Sequence, residues 1–353
     1  MSFRLGGADG VSVEARKWEW ALRELGFETR RVAGEIEDTL RPDDTWLPFL
    51  AIDPVDGARP EPDALAAALS GADLVVVANL CSLPLNLDAA TIAAEVLDHH
   101  EGRVLFHHHD LPWERPQLAH LTSFPPRRSN SLHIVINEHA RIALAQRGIE
   151  SEVIRNSFDL HPIAGDRRAT RRAFEFADED LVVLQPTRAI PRKEVGRGIR
   201  FAEALAAELP GATTRFWLTG PAEDGFDDEL ARLIASSRVS MTTGRAPRAE
   251  DAYAASDVVV FPSSWEGFGN PVIEATIADV PVAVARYPVL EELVDLGLRF
   301  LSIDDVPAVA QALRRPDPEI ARSNHVVLER HLDLRTLPER LGAAFASVGW
   351  EQW

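Results

Sequence analysis

Short apolar runs alternate with helical patterns along almost the whole chain. Residues 73–78, 103–107, 133–136, 181–185, 215–218, 257–261 and 281–285 are mostly continuous in Val, Ile, Leu and Phe rather than alternating. Strands buried on both faces have this pattern, so it predicts parallel sheets covered by helices. Helical stretches fall between the runs. Over 13–25, Ala15, Trp18, Leu22 and Leu25 share one face, with Ser12 placed to cap the start and Gly26 to end it. A second helix is expected over 198–209, closed by Pro210 and Gly211, and 332–353 also reads as helical. Alternation of this kind predicts an α/β protein with doubly wound parallel sheets. A strand at 152–154 runs into a polar stretch with Asp159, Pro162, Gly165 and Asp166, which marks a boundary. The expected domains are 1–160 and 161–334, followed by a helix in 335–353.

The segment Ser264-Trp265-Glu266-Gly267-Phe268-Gly269-Asn270-Pro271-Val272-Ile273-Glu274-Ala275 follows the run at 257–261. Asn270 is a good N-cap and Pro271 suits the first helical position. A helix over 272–278 would then begin with free amides and a partial positive charge, which is an anion site. Gly267 and Gly269 let a ligand approach the backbone closely. Glu266 and Glu274 are separated by seven intervening residues, one in the loop and one in the first helical turn, and could grip hydroxyls at two ends of one ligand.

A basic pair follows the run at 181–185. Arg188 and Lys193 lie at the carboxyl end of a parallel strand, where open α/β sheets bind ligands. Two cations fixed there can stabilise a leaving diphosphate without a metal.

Residues 257–278 resemble the signature of the family-four retaining glycosyltransferases of the GT-B fold, whose acid-Gly-Phe-Gly-x-Pro-x-x-Glu element stands intact from Glu266 to Glu274. The Arg188/Lys193 spacing resembles the Arg-x4-Lys element of the same family, with Glu194 where the family usually has Gly. The resemblance implies two Rossmann-like domains facing across a cleft, with the terminal helix crossing back to the first. It implies that Glu266 contacts the donor sugar and Glu274 the ribose. Phe268, Gly269, Asn270, Pro271 and Val272 would form the donor-binding segment. Arg188 and Lys193 would stabilise the leaving group, and Gly244, Arg245 and Ala246 would pack on the nucleobase. Gly6, Gly7 and Gly10, in a loop before the first helix, would face the diphosphate.

Val104-Leu105-Phe106-His107-His108-His109-Asp110 is a buried-strand pattern running into polar residues. Strand alternation puts His107 and His109 on one face and His108 on the other. His-x-His with Asp has metal-ligand chemistry, and buried structural histidines are common. The resemblance adds a third reading, a histidine at the reacting sugar: His109 first, His108 second, with Asp110 orienting the ring or taking the acceptor hydroxyl. No metal and no cofactor are expected, the nucleotide sugar being a substrate.

Composition narrows the partners. The chain of 353 residues is 46% apolar, enough for a core in each domain. With 37 basic and 55 acidic residues its formal charge is −18, which works against nucleic acid and anionic membranes as partners. Cys81 is the one cysteine, so no intrachain disulfide forms and a reducing compartment is expected. No signal peptide and no 20-residue apolar span is read, so the expected location is the cytoplasm. The acidic surface and the lack of an amphipathic basic helix make the expected acceptor a soluble hydroxyl compound. Self-association stays open. The predicted activity is retaining transfer of a hexose from a UDP-glucose- or GDP-mannose-type donor by a front-side route. A sugar-nucleotide epimerase, a phosphorylase and a non-catalytic nucleotide-sugar-binding protein are the rivals.

Overall fold

The computed structural model describes residues 1–223 and 225–350. In chain order its elements are β1 (Ser2–Leu5), α1 (Gly10–Glu24), β2 (Val32–Ile36), β3 (Thr45–Trp46), α2 (Pro62–Leu69), β4 (Leu74–Ala78), α3 (Leu87–Asp98), β5 (Arg103–His108), β6 (Ser131–Val135), α4 (Glu138–Ala145), β7 (Glu152–Val153), α5 (Arg167–Ala173), β8 (Leu181–Gln185), α6 (Val195–Glu208), β9 (Thr214–Leu218), α7 (Asp227–Ser236), β10 (Ser240–Thr243), α8 (Ala249–Ala255), β11 (Val258–Phe261), α9 (Asn270–Ile277), β12 (Val282–Val284), α10 (Pro288–Asp295), β13 (Leu301–Ser302), α11 (Val306–Arg314), α12 (Pro318–His331) and α13 (Leu337–Ser347). The helical reading of 332–353 holds for α13; its last residues, 351–353, lie outside those described. The chain divides into two units, Met1–Ser157 with Leu334–Trp353, and Phe158–Asp333.

In the first unit every strand pairing is parallel, in the orders β1-β2-β3 and β4-β5-β6-β7. The two groups meet where Ala78 N donates to Met1 O at 2.9 Å and Ser2 Oγ donates to Ala78 O at 2.9 Å. The strand order therefore reverses between β1 and β4. One face carries Leu65, Leu69, Ala93 and Leu97 from α2 and α3. The other carries Trp18 and Leu22 of α1 with Leu337, Leu341 and Phe345 of α13.

The second unit holds one parallel sheet in the order β10-β9-β8-β11-β12-β13, reversing between β8 and β11. Its central strands are buried end to end, as Leu181–Gln185 and Val258–Phe261 show, which is why they read as continuous apolar runs. Both units thus have the doubly wound order whose ligand crevice opens at the carboxyl ends of the strands flanking the reversal. In the first unit those ends lead into 6–10 and 79–82. In the second they lead into 186–194 and 262–269.

Two expected helix caps shift, and α6 begins at Val195 rather than at 198. Asp9, not Ser12, caps α1: its carboxylate accepts from Val11 N and Ser12 N, both at 3.1 Å. Asn270 is the first residue of α9 rather than its cap, and Gly269 holds the cap position with φ +96°.

Candidate functional site

At the reversal of the second sheet, Gln185 ends β8 buried. Its amide donates to Lys193 O at 2.9 Å and Thr187 Oγ1 at 3.1 Å, which pins the short 3-10 turn Pro191–Lys193. Lys193 points inward, 8% exposed, with Nζ 2.5 Å from Glu266 Oε1 and 5.4 Å from the ring centre of Phe261, the last residue of β11. Arg192 Nη1 meets the other oxygen, Oε2, at 3.0 Å. Burial pushes the Lys193 ammonium down, opposed by the charge of Glu266. Burial pushes the Glu266 carboxyl up, but Lys193 and Arg192 overcome it and hold the group below its ordinary value. The result is an enclosed anion with a cation on each oxygen.

Glu274 sits on α9, at the start of its second turn rather than in its first. The buried Tyr253 of α8 donates its hydroxyl to Glu274 Oε2 at 2.7 Å, and burial and the neighbouring carboxylate together raise that phenol well above its usual range. Gly269 must be glycine for two reasons. Its φ lies in the left-handed region, and a Cβ there would stand 2.2 Å from the Tyr287 hydroxyl. That hydroxyl in turn donates to Phe268 O at 3.4 Å.

Several expected donor contacts change on this geometry. Pro271 has no N–H, and Val272 N is bonded to Gly269 O at 2.9 Å, so these two shape the turn and present no free amide to an anion. Arg188 does not join Lys193 on Glu266. It is half exposed and pairs with Glu223 at 2.6 Å, although its charge still depresses Lys193. Gly244 has φ +126°, its N–H goes to Leu218 O at 3.1 Å, and its carbonyl accepts from Trp217 Nε1 at 2.8 Å. Ala246 is buried and Arg245 exposed beside it. Glu194 occupies the left-handed region at φ +50°, which accounts for the preference for glycine at this point of the motif.

In the first unit, Gly6 has φ +81°, and a Cβ on it would stand 2.7 Å from Asp38 N. Gly7 O accepts from Arg16 Nη1 at 2.7 Å. The α1 start beyond Gly10 is less open to an anion than expected, since Asp9 occupies two of its amides. At the end of β5 the alternation holds. His107 stacks on Trp18 at 3.9 Å and lies 4.3 Å from His109, while His108 faces the other way, with Nδ1 2.5 Å from Ser82 Oγ and Nε2 2.9 Å from His133 Nδ1. Asn79 Oδ1 accepts from both His109 N and Asp110 N at 3.1 Å, fixing this turn. Burial lowers all four imidazoles, His109 and His133 to about 4, so they are neutral at pH 7. Among the described residues, His107 Nε2 and His109 Nε2 are buried without a hydrogen-bond partner. No three His, Cys, Asp or Glu side chains there are grouped to hold a metal ion. Beside Asp110, Glu114 is pushed up to about 8 by burial first and by the Asp110 charge second.

Sequence reasoning passed over Arg192, Tyr253, Tyr287 and Asn79. Only Arg192 carried a local signal, being next to Lys193. The others act through contacts distant in sequence.

Comparisons with known proteins find glycosyltransferases. Residues 180–315 match the family described as glycosyl transferases group 1. Mannosylglucosylglycerate synthase of Petrotoga mobilis is 25% identical over 98% of this chain and 96% of its own length. The protein of the same name from Thermotoga maritima is 28% identical over 86% and 84%. Anabaena HepE, solved in complex with UDP and glucose, superposes with a TM-score of 0.73 at 20% identity over 98% of both chains. The matched span 180–315 holds β8, β11 and the cluster around Glu266, so this part of the chain is similar to the group 1 glycosyl transferases, and the chain as a whole has the GT-B fold.

Proposed function

We propose that this chain moves a hexosyl group from a nucleoside-diphosphate sugar to a hydroxyl of a small soluble acceptor, with retention of configuration and without a metal. The observation that carries the reading is the Glu266 carboxylate held between Lys193 and Arg192 at the reversal of the second sheet. A leaving diphosphate gains negative charge as the glycosidic bond lengthens. A cation held in a mostly buried place beside it stabilises that charge as it develops. Glu274, fixed by Tyr253, is suited to accept from ribose hydroxyls, and Glu266 to accept from a sugar hydroxyl. Arg188 is assigned to the outer phosphate, exchanging Glu223 for it.

On this reading the acceptor hydroxyl attacks from the face the diphosphate leaves, and a phosphate oxygen takes its proton. No protein nucleophile is needed. In the first unit, His109 Nε2 is a neutral, unpartnered acceptor suited to a substrate hydroxyl, with Asp110 beside it. The name shared by the two relatives supports a mannosyl donor and a glucosylglycerate-type acceptor, which carries a carboxylate. The exposed Arg16 of α1, whose guanidinium reaches Gly7 O, offers that carboxylate a cation.

The test offers GDP-mannose, UDP-glucose and ADP-glucose with glucosylglycerate, in EDTA, and reads the product anomer by proton NMR. An α-linked product from an α-linked donor is expected. An inverted product, donor epimerised without acceptor, or turnover requiring inorganic phosphate would each overturn the reading.

A further inference from the structure

The motif accounts for Lys193 and Glu266 and leaves Arg192 unused, yet the three side chains form one cluster. Glu266 is 6% exposed, and each of its oxygens carries a cation, Lys193 at 2.5 Å and Arg192 at 3.0 Å. One carboxylate needs one counter-charge, so one of these cations is surplus. Their tethers decide which can move. Arg192 is tied to the loop of Glu266 three times: Nη1 donates to Trp265 O at 3.0 Å, and its carbonyl accepts from Ser264 N at 3.0 Å and Ser264 Oγ at 3.3 Å. Lys193 reaches Glu266 through a single ammonium on four methylenes, whose three donors can be redirected by rotation.

A diphosphate beside Lys193 would compete with Glu266 for that ammonium. Were Lys193 the sole partner of Glu266, turning it to phosphate would strand an enclosed carboxylate, which is strongly unfavourable. Arg192 removes that obstacle by remaining on Oε2 while Lys193 turns. We propose that Arg192 is a positioning residue of the donor site, holding Glu266 as a fixed anion so that Lys193 is free to bind the leaving diphosphate. The inference rests on the transfer reading above and adds a residue and a partner exchange to it.

The test compares wild type with Arg192→Met and Arg192→Lys, alone and with Glu266→Gln, in the full chain. Donor kinetics are read from pH 5 to 9, and UDP and GDP binding by calorimetry. For Arg192→Met, kcat/KM for the donor should fall about 30-fold, the low end of the cost of truncating one partner of a charge pair whose carboxylate is buried. Its acidic limb should move up by about one pH unit as Glu266 loses a cation. Arg192→Lys should restore the limb and most of the rate. With Glu266→Gln already present, Arg192→Met should add less than about a twofold loss, because the coupled partner is gone. Arg192→Gln replaces Met if the Met variant does not fold. An equal loss at every pH that persists with Glu266→Gln would mean that Arg192 only braces the loop, and would overturn the inference. Unchanged kinetics would overturn it as well. Wild type that binds neither UDP nor GDP would overturn the donor-site reading and this inference together. Nucleotide binding with an unshifted Arg192→Met profile would overturn this inference alone.

Discussion

Both units wind their sheets in the same order around a reversal point, and they furnish that point in opposite ways. The second places full charges there and compensates them: Glu266 with Lys193 and Arg192, and Arg188 with Glu223. The first places uncharged rings near the end of β5, four buried imidazoles kept neutral by burial, two with an unpartnered nitrogen. The same topology therefore yields one end lined by compensated charges and one lined by neutral rings. Strand order fixes where a ligand can sit, and side-chain charge decides what kind.

The sharpest way to break this contrast is to discharge the second unit. Lys193→Ala should lower kcat by about 10²–10³-fold, the usual loss for one transition-state donor, with unfolding followed in parallel as a control. Near-normal turnover would remove Lys193 from the chemistry.

The next effect belongs to the first unit. The unfolded chain takes up protons as pH falls through 6.5, whereas folded His109 and His133 resist protonation down to about 4. Stability from these rings is therefore complete above 6.5 and lost as pH falls toward 4, by on the order of 3 kcal/mol per ring at most. Hydrogen exchange read by mass spectrometry at pH 7 and 4.5 should show β5 and β6 losing protection before β8 and β11. Equal loss in both units would erase the distinction.

Smaller effects refine it. Tyr253→Phe removes the hydroxyl on Glu274 and should raise the donor KM roughly tenfold, from about 1.5 kcal/mol for a hydrogen bond to a charged group. Glu194→Gly relieves a left-handed residue and should raise Tm by about 2–4 °C for about 1 kcal/mol. No change in Tm would mean that local contacts already compensate Glu194.

These outcomes also bear on what the sequence made legible. The central strands could be read because both their faces are buried, leaving an uninterrupted apolar run. The edges could not. β10 is Ser-Met-Thr-Thr and partly exposed, while β2 is interrupted by Gly34, where a Cβ would stand 1.9 Å from Ala51 N. The motif positions of Glu266, Lys193 and Glu274 were readable because helix and turn chemistry is local. The cap assignments slipped by one to three residues because Asp9 and Ser12, three apart, or the adjacent Gly269 and Asn270, are each capable of capping and only geometry selects between them. Tyr253 on Glu274 and Asn79 under His109 and Asp110 join residues 21 to 31 positions apart, and nothing in local pattern announces such meetings.

The most direct test is a calorimetric titration of UDP, GDP and ADP into wild type and Lys193→Ala. One nucleotide should bind wild type and lose at least about tenfold in affinity when Lys193 is removed, about 1.4 kcal/mol. Equal affinity in both proteins, or no binding to either, would contradict capture of a diphosphate between the ends of β8 and β11.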